Sequence, residues 1–121
     1  MPNRFDGFYV VRYEGLNYDA RYGFGVMTLK DGRVFGGDSL RYFAGKFVDG
    51  GNTLTADMRI FPVTGPYHSV TDLDDKPWEL PDIRGAVPQG ELPLDVELTL
   101  DGQRYYTRHA VTILLKRLAV F

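Results

Sequence analysis

A run of aromatic and β-branched residues punctuated by glycines, from residue 7 to residue 60, constrains this chain more than any other feature. Its alternation has the two-residue period of a strand. The stretch Tyr22-Gly23-Phe24-Gly25-Val26-Met27-Thr28-Leu29-Lys30 is followed by Asp31-Gly32 and then by Arg33-Val34-Phe35-Gly36-Gly37-Asp38. Asp-Gly is a pair that two-residue type I′ turns prefer, because both central residues need positive φ. The segment reads as a strand, a tight turn and a second strand. Such a succession of short, curving strands describes a wall, and a wall suits binding better than catalysis.

Comparable strand signals recur at about 8–13, 22–30, 33–37, 41–48, 53–61, 83–87, 92–100 and 103–118. Between them lie turn signals at Glu14-Gly15-Leu16-Asn17, Asp31-Gly32, Asp49-Gly50-Gly51-Asn52 and Asp101-Gly102. Mostly hairpin connections imply an antiparallel meander. The expected fold is a single all-β domain over residues 1–121, an antiparallel barrel of about eight strands. Residues 62–82 break the rhythm with Pro62, Pro66, Pro77 and Pro81, the acidic Asp72-Leu73-Asp74-Asp75, and the single tryptophan, Trp78. Prolines at that density oppose a central strand or a long helix, so a crossover loop over one end of the barrel is expected.

A chain of 121 residues is long enough to bury a core without staples, and with no cysteine it has neither disulfide nor thiolate chemistry. Its net charge is -2, with lysines and arginines mostly scattered singly, which argues against a nucleic-acid partner. Residues Met1 to Asp6 hold charges and no apolar run, and no window has the length of a membrane-spanning helix. The expectation is no signal peptide, no membrane partner and a cytoplasmic location.

Leu92, Leu94, Val96, Leu98 and Leu100 alternate with Pro93, Asp95, Glu97 and Thr99, so the apolar set is expected to face inward. Were Asp101-Gly102 the turn, Leu98 would sit opposite Tyr105, Val96 opposite Thr107 and Leu94 opposite His109. Tyr105, Thr107 and His109 then become candidate walls of an internal ligand cavity. The same register puts Arg104 and Tyr106 on the solvent side. It therefore disfavours the carboxylate clamp that intracellular fatty-acid carriers build from an Arg-x-Tyr pair.

Chemistry is sparse. His68 and His109 lie in no ligand-spaced pattern, Ser39 and Ser69 lie in no nucleophile motif, and Asp72, Asp74 and Asp75 read as solvated loop acids. Gly23-Phe24-Gly25 lacks the third glycine and the following helix of a dinucleotide loop, and serves better as a bend. A non-enzymatic protein without metal or cofactor is expected. Both faces of the hairpin around Asp31-Gly32 are apolar: Phe24, Val26 and Phe35 on one, Met27, Leu29 and Val34 on the other. One face should be covered by another copy, giving a homodimer with Met27, Leu29 and Val34 at the interface; a loop folded back over it is the alternative.

Asp6-Gly7-Phe8-Tyr9, Gly23-x-Gly25-Val26, Asp31-Gly32, Gly36-Gly37-Asp38 and Phe43-x-Gly45, in that order, resemble the GrlR-like family, small negative regulators of type III secretion gene expression. The resemblance covers about the first 60 residues. It implies a lipocalin-like barrel, a homodimer, and an antiactivator that sequesters a transcriptional activator protein. It also leaves open a lipid-like small ligand, which makes a carrier or sensor the alternative function. The family's regulator meets its activator with a run of four acidic residues on an exposed hairpin. The matching positions here, Asp49, Gly50, Gly51 and Asn52, keep one charge and are the expected partner-binding turn.

Overall fold

In the computed structural model, which describes residues 3–15, 23–38, 41–62, 78–103 and 110–121, the alternation along the first half becomes five strands. They are β1 (Gly7–Gly15), β2 (Gly23–Lys30), β3 (Arg33–Gly37), β4 (Arg41–Asp49) and β5 (Thr53–Pro62). β6 (Trp78–Ala86), β7 (Glu97–Gln103) and β8 (Ala110–Val120) complete the set. Each pairs antiparallel with the next and β8 pairs with β1, so the sheet closes into an eight-stranded barrel with no free edge. The turn at Asp31 and Gly32 has φ of 53° and 79°, the two positive values that an Asp-Gly hairpin needs.

Alternate residues of every strand point into the barrel, where Val11, Met27, Leu54, Leu80, Leu98 and Ile113 are almost wholly buried. Each such side chain removed from water contributes on the order of 1.5–3 kcal/mol, so the filled interior dominates stability. Tight curvature brings neighbouring backbones close at inward positions. A Cβ on Gly45 would lie 2.0 Å from the Asp57 carbonyl oxygen, and one on Gly85 would lie 1.9 Å from that of Thr99. Glycine is the residue that fits there.

Four expectations are corrected. Asp101 and Gly102 belong to β7 and do not form the turn: Leu98 lies opposite Leu115, Leu100 opposite Ile113 and Gln103 opposite Ala110. Gly102 sits close to a neighbouring strand, since a Cβ there would meet Ile83 at 3.2 Å, a tight approach. Second, the strand expected from residue 92 begins at Glu97, and Leu94 is exposed because Asp95, at φ 71°, turns the chain before it. Third, β6 starts at Trp78 despite Pro81. The register slips between Ala56 and Met58, so Pro81 and Asp82 together oppose Asp57, and the bulge, with Asp82 at φ 58°, leaves proline no ladder bond to miss. Fourth, Met27, Leu29 and Val34 are interior, and only Phe24, Val26 and Phe35 remain outside.

One end of the barrel is plugged. Phe5 is fully buried beneath the strands, edge-on to Phe47, and its carbonyl accepts a 2.7 Å bond from the Tyr9 hydroxyl. Arg117, 1% exposed, donates to the carbonyls of Arg4 (2.7 Å), Leu92 (2.5 Å) and Pro93 (2.6 Å). It thereby ties the N-terminal segment and the connection between β6 and β7 to β8.

Candidate functional site

Three surfaces compete for function, namely the barrel interior, the Asp49 to Asn52 turn and the outer wall. The interior is described by its volume. A cavity there, walled among the described residues by Val11, Tyr13, Phe43, Met58, Ile60 and Leu80 among others, measures about 10 Å³. A water needs roughly that much, whereas small-molecule sites run to about 300–1,000 Å³. Tyr105, Thr107 and His109, expected to line a ligand cavity, lie outside the described residues. So do Arg104, Tyr106, His68, Ser39, Ser69 and the acids at 72, 74 and 75.

Nearer the opposite rim, the Tyr13 hydroxyl donates to the Asp38 carboxylate, and Asp38 also accepts from the Arg41 amide at 2.8 Å. Burial first, and then the bond to Asp38, holds the Tyr13 phenol well above its ordinary pKa. A neutral donor fixed on a carboxylate braces the strand ends rather than offering a nucleophile. Among the described residues, no group of three histidine or acidic side chains is placed to hold a metal ion.

Asp49 closes β4, and its turn is anchored. Arg4 donates to Asp49 from Nε (2.8 Å) and Nη2 (2.9 Å), and from Nη1 to the carbonyls of Pro88 and Gly90, each at 3.1 Å. A further bond from Arg4 reaches the Gly51 carbonyl, and the Gly51 amide donates to Asp49 at 2.9 Å. The Arg4 bond holds the Asp49 carboxyl below the ordinary aspartate range. Gly50, Gly51 and Asn52 are exposed, but the only charge of the turn is already satisfied.

The outer wall is the least satisfied surface. Cross-strand register aligns Val26, Gly37, Tyr42 and Phe61 in one row and Phe8, Thr28, Phe35 and Ala44 in the next. Phe24 is 64% exposed, Phe35 48% and Tyr42 49%, with Tyr42 stacked on Phe61 at 4.8 Å. The sequence had shown this apolar face but not that it is the outward one. Across β4 to β6 the wall dips into an open groove of about 450 Å³, floored by Ala44 and Gly45 and bordered by Lys46, Arg59, Phe61 and Glu79. Among the described residues there is no helix long and apolar enough to cross a membrane.

Comparison with known protein families finds none that matches this chain, and comparison with curated proteins finds no similar sequence. The fold and the site stand on their own geometry.

Proposed function

We propose that this is a non-enzymatic binding protein that works from its outer wall as a regulator, of the antiactivator type that the GrlR-like resemblance implies. The observation that carries the reading is the contrast between an interior cavity of about 10 Å³ and an outer wall that leaves Phe24, Phe35 and Tyr42 in water. Apolar side chains exposed together on one face favour a macromolecular partner, and a packed interior disfavours the carrier or sensor alternative. Because the Asp49 carboxylate is engaged by Arg4, the turn from Asp49 to Asn52 offers a partner backbone and polar groups rather than charge. The partner contact therefore shifts to the wall.

A mobility-shift assay tests the regulatory step: the transcriptional activator of the same host's type III secretion locus is bound to its promoter DNA and this protein is added. Release of the DNA at stoichiometric protein supports the antiactivator reading. An unchanged shift at excess protein overturns it.

A further inference from the structure

We propose that the outer groove across β4 to β6, with the basic row beside it, docks an acidic peptide segment carrying leucine or aromatic side chains, supplied by a partner protein. This deepens the reading of the protein as a binding module and rests on it. The register puts Lys30 opposite Arg33 and Arg33 opposite Lys46, so three cations on consecutive strands stand side by side on the exposed face. Like charges placed directly across strands destabilise a sheet. Lys30 lies 6.0 Å from the Phe121 ring, while Arg33 and Lys46 have no ion-pair partner among the described residues. Asp31, in the neighbouring turn, forms no ion pair with them.

Two acids share the groove with these cations. Asp57, next in the row after Lys46, accepts the Asp82 amide at 2.7 Å, and Glu79 is paired with Arg59 at 3.5 Å. The groove's own lining balances, Lys46 and Arg59 against Asp57 and Glu79, so the excess positive charge sits beside it at Lys30 and Arg33, with apolar surface, Ala44 and Phe61, along its floor and side. A chain alternating carboxylates with apolar side chains matches both at once. In a symmetric pairing of two copies centred on the row of cations, the row would meet its own copy, which disfavours a second protomer seated there. An anionic bilayer is disfavoured by a net charge of -2 and by a surface that is concave where the cations end.

Fluorescence anisotropy tests this with a labelled peptide alternating glutamate with leucine and phenylalanine, beside its lysine counterpart, at low and physiological salt. The acidic peptide should bind and the lysine peptide should not, with affinity falling as salt rises. R33E and K46E should each weaken binding about fivefold or more, and K116E, on β8 across the barrel from β4 and β5, should leave it unchanged. Absence of acidic-peptide binding, or equal binding by R33E, overturns the proposal. So does binding to phosphatidylserine vesicles in place of the peptide, or a dimer dissolved by R33E in size-exclusion chromatography with light scattering. An activator that binds R33E as well as wild type would overturn this face and leave the regulatory reading intact. Peptide binding as expected with no activator binding would do the reverse.

Discussion

Arg4 and Asp49, 45 residues apart in the chain, form a two-pronged ion pair with N···O distances of 2.8 and 2.9 Å, clipping the N-terminal segment to the turn between β4 and β5. Both side chains are largely sheltered, and Arg4 also serves the carbonyls of Pro88 and Gly90. D49A should cost about 1–2 kcal/mol, more than an isolated surface pair, because the bonds are charge-assisted and partly out of water. The Asp49 carboxyl is held below its unfolded value, so this contribution is complete at neutral pH and is lost as pH falls through the folded value. Urea unfolding of wild type and D49A at neutral and strongly acidic pH checks both points: the gap between them should close in acid.

Arg117 supports the plugged end, and no carboxylate lies within ion-pair distance of it among the described residues. R117A would strip donors from the carbonyls of Arg4, Leu92 and Pro93 and open a void, for a loss of about 3–5 kcal/mol. R117K keeps the charge and part of the bonding and should fall between the two. Chemical denaturation decides; a loss under about 1 kcal/mol for R117A would show that the plug is held by Phe5 and its neighbours alone.

Alkaline pH should unfold the barrel through its buried phenols. Burial is the main cause that raises both Tyr9 and Tyr13, and the bond to Asp38 adds to the shift at Tyr13. Stability from these groups is therefore intact below about pH 10, the ordinary tyrosine value, and declines as pH rises beyond it. Tyrosinate absorbance and circular dichroism should change together above that pH. Y13F should move the transition upward; a Tyr13 that ionises near its ordinary value in the folded protein would contradict the burial argument.

Glycine substitutions separate space from backbone conformation. G85A forces a Cβ to within 1.9 Å of a carbonyl oxygen inside the β6–β7 seam and should abolish soluble expression. G51A meets no atom within 4 Å but sits at φ +87°, so it should cost only about 1 kcal/mol. Thermal melts of whatever folds rank the two, and equal tolerance would mean that the strand spacing at Gly85 relaxes easily.

How far the sequence could be read depended on whether a residue's role was local. The hairpin at Asp31 and Gly32 was legible because φ preference and alternation agreed, and β3 runs over Arg33–Gly37 as expected. Asp101-Gly102 carried the same signal but lies inside β7, where Gly102 packs close to Ile83 of β6, a neighbour that only the closed barrel supplies. Periodicity separated Met27, Leu29 and Val34 from Phe24, Val26 and Phe35 without saying which set faced inward, since both are apolar. Closure decided it, by placing Phe43, Met58 and Leu80 opposite the first set. The Arg4 clip, the Arg117 plug and the row of Lys30, Arg33 and Lys46 join residues from separate strands and turns. Apart from Lys30 and Arg33, which flank the legible Asp31-Gly32 turn, no spacing along the chain announces them.

Native mass spectrometry of the protein purified from its own host tests the central claim, a filled barrel that binds through its outside. The account predicts a protein mass free of any small adduct, alone or with a co-purified protein that R33E releases. A reproducible small-molecule adduct that survives desalting and remains on R33E would contradict it, and would place function in the barrel interior.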